Sequence, residues 1–78
     1  MSEIEILLNK GQTSLNLGNP KEALFFYEKI LDQNPHHLEA LLKKGNIFGK
    51  FGRFDDAIVC YDGVILQEKE NILALLNK

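Results

Sequence analysis

Few side chains in this sequence could do covalent or metal chemistry. They are Cys60, the adjacent pair His36 and His37, and eleven Asp and Glu residues. Neighbouring histidines do not share one helical face, and no pair of cysteines lies nearby to complete a zinc site, so a solvated helix start is expected there. Asp62, Glu68 and Glu70 scatter around a helical surface as solvating charges, not as an acid/base pair. A lone Cys60 makes no internal disulfide, which fits a reducing compartment and a cytoplasmic location. Flanked by Ile58, Val59 and Tyr61, it is expected to be a small, half-buried apolar residue. There is no Gly-rich phosphate loop, no G-x-S-x-G elbow and no Cys–His arrangement. No catalytic residue, metal or cofactor is expected, and the chain is not read as an enzyme.

Charge and hydropathy narrow the partners. A net charge of -2 with the two signs interspersed leaves no electrostatic footprint for nucleic acid or an anionic membrane. No apolar run approaches the ~18–20 residues of a membrane span. The opening Met1-Ser2-Glu3-Ile4-Glu5 is acidic where a secretory leader would be basic, so no export is expected. Hydrophobic residues make up 45% and charged residues 26%, the balance of one small folded domain over residues 1–78.

The organising feature is a period. Comparing each residue with the one thirty-four positions on gives thirteen identities in forty-four pairs, against roughly four expected from composition. Among them are Glu5/Glu39, Gly11/Gly45, Gly18/Gly52, Ala23/Ala57, Tyr27/Tyr61, Ala40/Ala74 and Lys44/Lys78. Each unit carries two helical patterns. Ile4, Leu7, Leu8, Gly11 and Leu15 form one stripe over about Glu3–Leu17. Ala23, Leu24, Tyr27, Ile30 and Leu31 form the next, with Asn19 and Glu22 as capping residues, Pro20 at the first helical position and Asn34-Pro35 as the stop. Gly18 supplies the positive φ between them. The second unit repeats this. Leu38, Leu41, Leu42, Gly45 and Phe48 mark a helix at about His37–Lys50. A turn follows at Gly52-Arg53-Phe54, then a helix from about Asp55 that buries Ala57, Ile58, Tyr61, Val64 and Ile65. Gly45 stands in mid-helix, where glycine costs about 1 kcal/mol relative to alanine, and this implies close approach of another element. The two flanks of Asp62-Gly63 are helix-periodic, so no hairpin is expected there.

These residues resemble the tetratricopeptide repeat, a thirty-four-residue helix–turn–helix unit. Leu7, Gly11, Ala23, Tyr27 and Pro35 fall on its pattern in the first unit, and Leu41, Gly45, Phe48, Ala57 and Tyr61 in the second. Departures are Lys10 and Lys44 where leucine is usual, Ser14 for an aromatic, and Lys69 for the second proline. The resemblance implies an all-α, right-handed solenoid of two antiparallel helix pairs plus a C-terminal helix. Its divisions would be repeat 1 at about 4–37, repeat 2 at about 38–71, and a partial third helix at 72–78, serving as a cap or opening a longer array. With Lys69 in place of proline, nothing obliges the chain to bend near that residue. The alternative is one continuous helix from Asp55 to Lys78 that exposes Ile72, Leu75 and Leu76 to a second chain.

The resemblance implies a protein–protein interaction module whose first helices line a concave groove for a peptide or partner helix. The family's groove positions correspond to Glu5, Leu8, Gln12 and Asn16, then Glu39, Leu42, Asn46 and Lys50, then Leu73 and Leu76. Helical spacing independently puts Glu39, Leu42, Asn46 and Lys50 on one face. Leu8, Leu42 and Leu76 form either an apolar strip along that groove or core shared between stacked helices. The lysine-and-asparagine set that holds a C-terminal carboxylate in some relatives is matched only by Asn46. The alternative function is self-association into a homodimer through Ile72, Leu75 and Leu76.

Overall fold

The computed structural model describes residues 2–76, with side chains described through Ile72. Among these residues it holds four helices and no strand: α1 (Glu3–Asn16), α2 (Pro20–Gln33), α3 (Leu38–Lys50) and α4 (Phe54–Leu76). Each helix packs on the next in chain order, α1 on α2, α2 on α3 and α3 on α4.

The helix ends follow the local chemistry. The Ser2 side chain accepts a hydrogen bond from the Glu5 amide at 3.1 Å and caps α1. Gly18 and Gly52 take φ of +79° and +76°, so both turns use the left-handed conformation that glycine adopts without a Cβ penalty. α2 starts at Pro20 and stops at Gln33, one residue short of the Asn34-Pro35 pair. The capping expected of Asn19 is not made by its side chain: its φ of -113° and ψ of 71° lie outside the extended region that aims a capping oxygen at the helix amides. His37 caps α3 instead, its Nδ1 accepting from the Ala40 amide at 3.2 Å.

Packing explains the two mid-helix glycines. A Cβ built on Gly11 would lie 2.7 Å from Cζ of Tyr27, and one on Gly45 would lie 2.8 Å from Cε1 of Tyr61. Each tyrosine ring lies flat against the bare backbone of the helix before it, and this draws the two helices of a unit together. Tyr27, Ile30, Ala23, Leu7, Ala40 and Ile47 make the main core, shared by α1, α2 and α3. A second cluster of Phe48, Ala57 and Cys60 joins α3 to α4. Leu24 packs against both clusters and so sits at the seam between units.

Three expectations are corrected here. α4 does not bend near Lys69: it is continuous for 23 residues, and no separate helix begins at 72. Gln67-Glu68-Lys69-Glu70-Asn71 keeps every backbone N–H, so the stop that Pro35 imposes on α2 has no counterpart. Ile58 and Ile65, expected in the buried stripe of the second unit, are 54% and 60% exposed. Cys60 is buried more deeply than its flanks implied, at 6% exposure.

The packing predicts unequal costs for the same substitution. Alanine gains about 1 kcal/mol of helix propensity at either glycine. Overpacking against a fixed ring costs about 1–3 kcal/mol. Tyr27 is 1% exposed and hemmed in, whereas Tyr61 has an open edge. Gly11→Ala should therefore lower stability by about 1–2 kcal/mol in urea unfolding. Gly45→Ala should stay within about 1 kcal/mol of the parent. A higher urea midpoint for Gly11→Ala would show that the close approach is not a constraint.

Candidate functional site

α1 and α3 lie side by side along one surface of the molecule, joined where Lys43 Nζ donates to Gln12 Oε1 at 3.1 Å. Gln12 Nε2 in turn donates to Asn16 Oδ1 at 3.0 Å. Beside this bridge opens a cleft of about 530 Å³ whose lining includes Leu15 from α1, Lys43, Asn46, Ile47 and Lys50 from α3, and Tyr61 from α4. The Tyr61 hydroxyl donates to Asn46 Oδ1, which ties the cleft wall to the ring seated on Gly45.

The residues singled out from sequence stand at successive turns of α1 and α3. Glu5 and Glu39, both exposed, lie near the helix N-termini. One turn on come Leu8, half-buried against the core, and Leu42, 41% exposed. Gln12 and Asn16 on α1, with Asn46 and Lys50 on α3, are exposed toward the C-terminal ends. The structure brings Gln12 to Asn16 by a hydrogen bond and Asn46 to Lys50 in the cleft lining. It does not connect Glu5 or Glu39 to either group. Leu73, Leu75 and Leu76 lie outside the described side chains.

Sequence reasoning left Lys43 out of this surface, although it follows Glu39 by four residues and so shares that side of the helix. Tyr61 was assigned wholly to the core. The ring packs only partly against the core and its hydroxyl reaches the cleft, as a tyrosine ring commonly finds a polar partner for its tip.

Electrostatics near this surface are mild. Burial raises the Tyr27 hydroxyl pKa above its ordinary 10.0, and the nearby Glu39 carboxylate adds to the rise. Burial likewise raises the Cys60 thiol above 9.0, with Lys44 pulling it back and Asp56 pushing it up. Among the described residues, no three His, Cys, Asp or Glu side chains gather as a metal site would require. No helix among them is long and apolar enough to cross a membrane.

The tetratricopeptide repeat profile matches residues 14–78, from the last turn of α1 to the last residue. The chain belongs to the tetratricopeptide repeat family. No curated protein matches it. Tetratricopeptide repeats are in general protein–protein interaction modules and are not themselves catalytic. In this tetratricopeptide chain the first helices of the two units are α1 and α3, the pair that carries the cleft.

A pH dependence follows from the two raised groups. Both stay neutral in the fold at pH values where the unfolded chain has begun to ionise them. Stability is therefore fully kept below pH 9.0 and is lost as pH rises, first through Cys60 and then through Tyr27. The urea midpoint should be flat from pH 7 to about 9 and fall above it. Cys60→Ala should delay the onset toward pH 10, and Tyr27→Phe should flatten the later part. A midpoint that rises above pH 9 would contradict the assignment.

Proposed function

We infer that this tetratricopeptide chain binds a peptide or partner helix across the surface formed by α1 and α3. The observation that carries the reading is Leu42. It is 41% exposed, although Ala40 and Ile47 on the same helix are buried, and it stands one turn before the cleft residue Asn46. A large aliphatic side chain left open beside a cleft that carries Asn46 and Lys50 suits an amphipathic ligand that covers the leucine and hydrogen-bonds to Asn46, Lys50, Gln12 and Asn16. Leu8, packed partly into the core, contributes less area. A ligand crossing both helices would meet carboxylates at Glu5 and Glu39 on one edge and the ammonium of Lys50 on the other. The lone cysteine suits a reducing, cytoplasmic setting for this binding.

A second reading, self-association, is favoured by one observation: α4 runs on without a bend through Leu76, and among the described residues no other helix covers its outer face.

Leu42→Lys tests the first reading. Titration against a display-selected panel of amphipathic peptides should show binding by the parent chain and at least tenfold weaker binding by the variant. Its helical circular dichroism and melting temperature should match the parent. If Leu42→Lys unfolds the chain, Leu42 is core and the groove reading fails.

A further inference from the structure

The outer face of α4 has an internal template that shows what should cover it. In the first unit Leu24 and Leu31 on α2 are partly buried, packed against core that includes Ala40 and Ile47 of α3. Thirty-four positions on, Ile58 and Ile65 hold the same places on α4 and stand 54% and 60% exposed. Phe54 at 66% and Ile72 at 58% extend the same stripe, since 58, 65 and 72 are seven apart and 54 lies one turn before 58. Four large apolar side chains in one line, open along most of a 23-residue helix, exceed the single exposed residues usual on a protein surface.

The complement to this face is written in the same chain. Residues 72–78 repeat 38–44, the segment that opens α3 and helps cover α2, with identities at Ala40/Ala74, Leu41/Leu75, Leu42/Leu76 and Lys44/Lys78. Because α4 is continuous through Leu76, residues 72–76 begin about 21 Å along the axis from Ile58, at about 1.5 Å per residue, and do not fold back onto it. A second copy can supply it.

We propose that two copies pair through antiparallel α4 helices, centred on Ile65, with Ile72 of each copy against Ile58 of the other. This deepens the self-association reading above, on which it rests, by assigning the surface and its direction. The direction comes from charge. Asp62 and Lys69 are exposed, lie seven residues apart and flank the stripe on the same side. In an antiparallel pair that side faces its own copy, which brings Asp62 of each chain to Lys69 of the other at both ends of the contact. A parallel pair would give Lys69 the exposed Glu68 of the other copy but set Asp62 against the Tyr61 and Val64 side, which offers it no positive charge. The antiparallel pair gives both Asp62 and Lys69 a partner and leaves Glu68 beside Tyr61. The interface is isologous and closes at two copies. It is separate from the α1–α3 surface, so one dimer presents two clefts.

Sedimentation equilibrium over a hundredfold concentration range tests this on the 78-residue chain. The expected result is a monomer–dimer equilibrium. Ile65→Lys should raise its dissociation constant at least tenfold without loss of helicity, since that side chain is already in solvent. Lys69→Asp alone should weaken the dimer several-fold, and Asp62→Lys combined with Lys69→Asp should restore it. A dimer indifferent to Ile65→Lys overturns this surface while leaving self-association standing. A charge swap no better than the single variant overturns the antiparallel direction. A monomer at every concentration overturns both the proposal and the self-association reading, and leaves the stripe to a different protein or to further chain.

Discussion

The structure depends on a tyrosine ring pressed against a glycine. Gly11 meets Tyr27 and Gly45 meets Tyr61, and in each case a single added carbon would fall inside contact distance of the ring. The ring gains burial against backbone that would otherwise face a side chain, while the helix gives up about 1 kcal/mol of propensity. Because the contact recurs at the repeat period, the two hairpins share one shape. That shared shape lets α3 seat on α2, with Ala40 and Ile47 closing the core begun by Leu7 and Ala23.

Equivalent residues then have unequal surroundings. Leu24 and Ile58 hold the same repeat position, yet one lies at a seam between units and the other faces solvent. Tyr27 and Tyr61 differ likewise, the first enclosed by three helices and the second open at its edge, where its hydroxyl is free to reach Asn46. A repeat protein buries each unit only as far as it has a neighbour. Here α3 covers α2, while among the described residues no helix covers the outer face of α4, so the same chemistry yields core on one side and an apolar surface on the other.

The α1–α3 surface is of a different kind. What organises it is hydrogen bonding between side chains of the two first helices, from Lys43 through Gln12 to Asn16. Such exposed bonds add little to stability. They hold amides and an ammonium in fixed places beside Leu42, without a deep pocket.

The amino-acid sequence alone determined the period, the helical class, the positions of the turns and most of the inner face. Gly18 and Gly52, Pro20 and Pro35, and the spacing of Ala23, Tyr27 and Ile30 act locally or through helical periodicity, which one chain displays in full. The proposed binding residues of the second unit were legible as one face of α3, because Glu39, Leu42, Asn46 and Lys50 keep helical spacing. Lys43 and the Tyr61 hydroxyl were not, because their roles depend on which neighbouring helix lies within reach. The tertiary structure decided three things. α4 continues past Lys69, because the residues there permit either course. Ile58 and Ile65 are left open, because burial depends on a partner that no residue pattern supplies. Leu42 stays exposed while Ala40 is buried, because Ala40 lies in the core that α3 shares with α1 and α2 and Leu42 faces away from it.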